Sequence, residues 1–253
     1  MTQLELFEQR TQHLRTFKAN KGPNSHKIIL SLFDLSLEWC KPYIEAGYTV
    51  IPIDKQADGI DLGAIECPYL AGEIIGEKLG LPPFHVYGML IAIPCCDFAV
   101  SGARWFKGKD ESGATQASIN LLIKALKIVK YFSLDKRTNT IAEFKAESAL
   151  KTNSDAGLRF WALENPVGRI NTLMPLMAKF GPQYFQPHHY GSPYTKKTGL
   201  WGRFNFPQPT NNVDPSEGSR MWNMFPTKNP MDRKNARSKT DSNFAQAFHE
   251  VNK

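Results

Sequence analysis

The sequence predicts an α/β fold, a mostly parallel sheet flanked by helices. Three observations carry that expectation. Short apolar runs bounded by glycine, proline or aspartate recur: KIILSLF at 27–33, YTVIPI at 48–53, VYGMLIAI at 86–93 and FWAL at 160–163. Runs of this kind are how strands buried on both faces of a parallel sheet read. Stretches of helical period separate them, as crossover connections between parallel strands require. Finally, 253 residues with 42% hydrophobic content are enough for one α/β domain of ordinary size with a small appendage.

The elements run in order along the chain. Leu4 to Phe17 places Leu4, Phe7, Leu14 and Phe17 on roughly one helical face, an accessory helix. NKGPN at 20–24 is a linker. The first strand is Lys27 to Phe33, followed by a loop, Asp34 to Glu38, that holds no glycine. Trp39 to Ala46 is a short helix with Pro42 in its first turn, and Gly47 ends it. The second strand, Tyr48 to Ile53, closes on Asp54. A helix spans Tyr69 to Leu79, and Pro82-Pro83 breaks the chain before the central strand at Val86 to Ile93. Arg104 to Gly113 is polar and glycine-bearing, which suits a mobile flap. Gln116 to Phe132 has a broad apolar face and is a strong helix. Lys136 to Asp155 is a polar excursion. The strand Phe160 to Leu163 ends in Glu164, and a helix comes next from Thr172 to Phe180. Strands at Tyr184 to Gln186 and Gly199 to Phe206 flank the turn His188 to Pro193. A helix from Ser242 to Val251 closes the chain.

Chemistry concentrates at strand ends. Pro94-Cys95-Cys96-Asp97-Phe98 succeeds the central strand, and ligands in open α/β sheets bind outside the carboxyl ends of strands. The competing reading makes Cys95 and Cys96 small buried hydrophobes. Glu164 ends a second strand and brings a carboxylate to the same sheet edge. Strand, loop, helix, strand, acid is also the order of a nucleotide-binding unit, in which the acid accepts hydrogen bonds from ribose hydroxyls. Asp54 is the candidate for that role, or a plain strand-end aspartate. The four cysteines show no CxxC pair or zinc spacing, and His188-His189 lacks an acidic partner in a spacing motif, so no metal site is expected.

The net charge of +7 is uneven. Between Lys196 and Lys239 stand nine basic and three acidic residues, an excess of six. Trp201, Phe204, Phe206, Trp222 and Phe225 are interleaved with them. Basic and aromatic residues together suit a polyanion with stackable bases, or a solvated surface with local apolar anchors. No apolar run approaches the roughly 20 residues that cross a bilayer. The opening residues carry acids and lack the apolar core of a secretion signal. A reduced, cytoplasmic setting with no membrane partner is expected.

PCCDFAVSG at 94–102 resembles the PCQxFSxxG motif of DNA cytosine-5 methyltransferases, with Cys95 at the nucleophile, Cys96 for Gln and Ala99 for Ser. ENPV at 164–167 resembles the ENV motif. YGSPYTKKT at 190–198 is similar to YGxPQxRxR, with Tyr194 for Gln, Lys196 for the first Arg and Thr198 for the second. The order is the family's, and the resemblance covers about residues 27 to 205. It looks most like the compact phage or mobile-element members. Leu35 and Leu37 stand where relatives carry glycines in the first motif.

The resemblance implies a Rossmann-like, S-adenosylmethionine-dependent methyltransferase fold, with DNA as partner. Residues 1–26 would be an accessory helix and linker, 27–198 the catalytic domain, 199–237 a reduced target-recognition region, and 238–253 a helix packing back. Cys95 would add to C6 of a flipped-out cytosine. Glu164 would bond N3 and the 4-amino group, and Lys196 would neutralise phosphate or assist at the ring. S-adenosylmethionine would meet Phe33, Asp34, Ser36, Asp54 and Pro94. Ser101, Arg104, Arg169, Lys197 and Arg203 are the candidate DNA contacts; Arg104 and Arg169 read equally as surface charges. The short 199–237 segment implies loose or very short sequence specificity, or a protein partner that supplies it. Two alternatives stand beside this reading. One is a pyrimidine C5-modifying enzyme with another cosubstrate or a nucleotide substrate; the other is a catalytically silent DNA- or partner-binding relative.

Overall fold

The computed structural model describes residues 22–56, 60–83, 85–133, 157–220 and 237–253. Six strands form one sheet: β1 (Ile28–Leu32), β2 (Thr49–Ile53), β3 (Gly88–Ile91), β4 (Phe160–Pro166), β5 (Gln183–Phe185) and β6 (Thr198–Arg203). Among the described residues six α-helices accompany them: α1 (Lys41–Glu45), α2 (Ala71–Leu79), α3 (Phe106–Glu111), α4 (Ala114–Phe132), α5 (Ile170–Leu173) and α6 (Ser242–Val251). The sheet order is β2-β1-β3-β4-β6-β5. The four strands from β2 to β4 are parallel, and β6 runs antiparallel to both β4 and β5. The sheet is Rossmann-like, as expected.

Alternation along the strands builds two cores, because successive side chains leave a strand on opposite faces. Leu30, Leu32, Ile51, Ile53, Met89, Ile91, Trp161 and Leu163 face one way and pack with Ile75 and Leu79 of α2 and Leu122, Ile128 and Val129 of α4. Ile29, Val50, Leu90, Phe160, Ala162 and Leu200 face the other way, against Tyr43 of α1 and Phe244 and Phe248 of α6. Both faces are covered, which is why the strands read as continuous apolar runs. Phe160 approaches so closely that a Cβ on Gly88 would lie 2.3 Å from its ring.

Several boundaries move. β4 continues through Glu164 to Pro166, because β6 pairs with it from Trp161–Arg203 to Pro166–Thr198. Glu164 therefore lies within a strand, opposite Leu200. β6 starts at Thr198, so the sheet takes in the first residues of the 199–237 segment. The helix expected over 172–180 is broken into α5 and a 3-10 turn at Pro175–Lys179, since Pro175 has no amide hydrogen to continue it. The expected flap at 104–113 is helical: a 3-10 stretch, Val100–Trp105, runs into α3. The accessory helix at 4–17, the excursion at 136–155, and Trp222 and Phe225 lie outside the described residues.

Candidate active site

The site forms at the carboxyl edge of β1, β3 and β4. Beyond β3, the Cys95 carbonyl accepts from the Phe98 and Ala99 amides at 3.1 and 2.9 Å, which folds the chain into a tight turn. Phe98 is fully buried and anchors that turn in the core. The chain after β4 zips onto it. The Val100 amide donates to the Val167 carbonyl and the Arg169 amide to the Phe98 carbonyl, both at 2.9 Å. Gly168 permits this approach, since a Cβ there would sit 1.9 Å from the Phe98 oxygen. Asn165 Nδ2 donates to the Ile93 carbonyl at 3.2 Å. The cysteine turn and the glutamate strand are thus one connected structure.

Cys95 is partly exposed. A hydrogen bond with Cys96 that favours the protonated Cys95 thiol, followed by burial, pushes it well above the ordinary cysteine value, while the charge of Lys196 pulls it down. At neutral pH the sulfur is protonated, with a cation near enough to favour its ionised form.

Glu164 is 5% exposed. Lys196 Nζ lies 3.3 Å from its Oε1, and Thr240 Oγ1 donates to its Oε2. Lys196 Nζ also donates to the Lys239 carbonyl at 2.8 Å, and the Lys196 amide donates to Gln186 Oε1 at 3.1 Å. Thr198, fully buried, donates its hydroxyl to the Lys196 carbonyl at 2.8 Å. Lys196 is 5% exposed, so its ammonium is buried beside Glu164.

The β1 loop borders this cluster. Burial pushes the Asp34 carboxyl up, and the charge of Glu164 adds to the shift. Asp34 Oδ1 accepts from Ser36 Oγ and the Leu37 amide, each at 2.9 Å, so Asp34 and Ser36 shape the loop. Phe33 (φ 62°) and Leu37 (φ 54°) both adopt the left-handed conformation that favours glycine. The loop thus keeps a glycine-like path with side chains in place of glycines. Leu35 is 38% exposed. At the end of β2, Asp54 Oδ1 accepts from the Gln56 amide at 2.7 Å.

The candidate DNA contacts divide. Ser101 and Arg104 are exposed on the 3-10 stretch, with Arg104 5.0 Å from the Trp105 ring centre. Lys197 is exposed above Tyr184 at 4.8 Å. Arg203 is half-buried over Phe180 at 5.8 Å. Arg169 instead holds Asp110 with two hydrogen bonds of 2.8 Å, donates to the Asp97 carbonyl at 3.0 Å and stacks on Phe106 at 3.6 Å. The Arg169 guanidinium keeps the Asp110 carboxyl low, at about 2. Lys109 reaches the Cys96 carbonyl at 2.5 Å and Asp97 Oδ1 at 2.9 Å. These ties fasten α3 to the cysteine turn. Of the tail aromatics, Trp201 is a core residue, 2% exposed, that donates to Asn171 Oδ1. Phe204 and Phe206 pack against the α6 core. Trp201 is thus a buried strand residue, and Phe204 and Phe206, just beyond β6, are partly buried on the α6 side of the sheet.

Sequence reasoning missed Lys239 and Thr240. The only sign was that Thr-Asp precedes a helix: Asp241 caps α6 by accepting from the Phe244 amide at 2.8 Å. Its other oxygen accepts from Ser192 Oγ at 2.6 Å and Tyr194 OH at 2.7 Å. His188 and His189 lie edge to face, and no group of three potential metal ligands occurs among the described residues. Nor is any helix among them long and apolar enough to cross a membrane.

With parallel strands on one side and the reversed β6 inserted between β4 and β5, the chain has a Rossmann-like α/β fold. No protein-family model and no curated protein sequence matches it. Among solved structures it is similar to a prophage-encoded E. coli protein provisionally described as a DNA modification methyltransferase. The identity is 15% and the TM-score 0.39, over 79% of this chain and 56% of the other, so the chain matches little more than half of that protein's length.

Proposed function

We propose that the chain is a DNA cytosine-5 methyltransferase. One observation supports this above others: Cys95 and the buried Glu164 carboxylate stand at one sheet edge and share Lys196 as electrostatic neighbour. A binding module has no need of a nucleophile and a fixed carboxylate together.

In the proposed chemistry the Cys95 sulfur forms a bond to C6 of a flipped-out cytosine and the thiol proton leaves to solvent. Lys196 favours that loss. As the sulfur adds, N3 takes a proton from solvent, and Glu164 accepts hydrogen bonds from that N–H and from the 4-amino group, which offsets the charge that builds on the ring. C5 becomes enamine-like and nucleophilic. Transfer of the C5 proton to solvent later expels the Cys95 thiolate from C6, and return of the N3 proton to solvent restores the aromatic ring.

S-adenosylmethionine, when bound, supplies the electrophilic methyl group. The residues at the β1 and β2 ends fit such a ligand. Asp54, at the end of β2, would accept from the ribose hydroxyls, and the left-handed Phe33 and Leu37 turn the loop as glycines would. Phe33, Asp54 and Pro94 would line the ligand, with Asp34 and Ser36 holding the loop. Ser101, Arg104 and Lys197 would meet DNA phosphate, which positions a duplex without reading its sequence, whereas Arg203, opposite Trp161, lies toward the other edge of the sheet.

The test is adduct trapping. Duplex DNA carrying 5-fluorocytosine, with methyl donor present, should form a covalent complex with the wild-type chain and none with Cys95→Ser. A complex that forms only with a free nucleotide, or needs another cosubstrate, would favour the related pyrimidine enzyme. Absence of any complex, with folded protein and bound donor, would overturn the reading.

A further inference from the structure

We propose that Thr240 is a positioning residue for the Glu164 carboxylate, delivered from the far end of the chain by the segment that leads into α6. For its activity readout this rests on the methyltransferase reading. Thr240 is 6% exposed. Its hydroxyl is bonded to Oε2 of Glu164 while Lys196 takes Oε1 at 3.3 Å. A glutamate side chain held at one oxygen still turns about its last torsion; held at both, its plane is set. That matters here because two adjacent hydrogen bonds to a pyrimidine edge demand one carboxylate plane.

The neighbouring contacts serve the same end. The Lys239 carbonyl accepts from Lys196 at 2.8 Å, so one dipeptide steadies both members of the ion pair. Lys239 Nζ lies 3.7 Å from Glu38, which joins the dipeptide to the loop after β1. Asp241 cannot drift, since it caps α6 and accepts from Ser192 and Tyr194. Thr240 therefore sits on a rigid mount, although 76 positions separate it from Glu164. A threonine that only filled space would not need its hydroxyl on a buried carboxylate.

The experiment compares Thr240→Val, which keeps the shape and removes the hydroxyl, with Thr240→Ser, which keeps the hydroxyl. Thr240→Val should lower kcat by about ten- to a hundredfold, as expected for losing a hydrogen bond to a charged group, with KM for DNA and methyl donor within about twofold. Thr240→Ser should stay within about threefold of wild type, by the same reasoning. A Thr240→Val enzyme with wild-type kcat, or a Thr240→Ser enzyme as impaired as Thr240→Val, would overturn the proposal. If the wild-type chain transfers no methyl group, the methyltransferase reading falls, and urea unfolding decides Thr240 separately. There, Thr240→Val and Glu164→Gln should lower the midpoint less together than the sum of each alone. Strictly additive shifts would overturn the proposal.

Discussion

Lys196 and Glu164 form an ion pair at 3.3 Å with side chains only 4% and 5% exposed. Each charge is costly to hide from water, and each is tolerable because the other is there. Lys196→Met should therefore destabilise the chain by about 3–5 kcal/mol, the usual result of stranding one buried charge. Adding Glu164→Gln to it should recover a good part of that loss. Urea unfolding of the two single variants and the double variant checks this. A double variant no better than Lys196→Met would mean that the pair is not coupled.

Cys95 should react slowly for a thiol near the surface. Its hydrogen bond with Cys96 and its burial raise the thiol above the ordinary value, so little thiolate exists at neutral pH. Alkylation with iodoacetamide at pH 8, read by peptide mass spectrometry, should label exposed Cys67 before Cys95. Raising the pH should speed Cys95, and Lys196→Met should slow it further by removing the favourable charge. Faster labelling of Cys95 in Lys196→Met would contradict the electrostatic role of the lysine.

Leu37 holds φ at 54°, where a Cβ crowds the backbone. At an ordinary position alanine is more stabilising than glycine. Here the sign should reverse, with Leu37→Gly more stable than Leu37→Ala by about 1 kcal/mol, the local cost of the left-handed state. Thermal unfolding of both variants measures the difference. Alanine ahead of glycine would show that the loop does not keep this path.

His249 is buried against Tyr43, with ring centres 4.7 Å apart, and neither ring nitrogen has a hydrogen-bond partner. Tyr48 also faces it, while Glu250 and Lys253 act from its own end of the chain with opposite effect. Burial lowers its pKa below the ordinary 6.5. The folded chain thus binds this proton less readily than the unfolded chain. Stability is complete above pH 6.5 and falls as the pH drops from there through the folded value. Unfolding midpoints between pH 7.5 and pH 5 in steps should fall for wild type and flatten for His249→Phe. Equal slopes would remove His249 as the cause.

Much of this was readable along the chain. KIILSLF, YTVIPI and GMLI read as buried strands because both sheet faces are covered, leaving no polar alternation to confuse them. Cys95 and Glu164 were legible because each succeeds or ends such a run, and the carboxyl ends of parallel strands share one edge. Lys196 carried no periodic signal and stood out only through the motif it resembles. Thr240 was invisible: a threonine before a helix reads as capping chemistry, and its carboxylate partner lies on a distant strand. Arg169 read equally as a DNA contact or a surface charge, because sequence shows charge without its counter-charge, and Asp110 is 59 positions away.

Composition and hydrophobic period were enough to indicate an α/β chain with a cysteine and a carboxylate on one sheet edge. Those properties are local, set by which residues can be buried at period two and by the polar residues that end each run. Folding alone decided that Lys196 is sealed against Glu164, that Thr240 closes the second oxygen, and that the first loop takes a glycine-like path without glycine. Each of these depends on groups far apart in sequence meeting where water is excluded, and a buried charge or hydroxyl takes its partner from whatever the packing brings within reach.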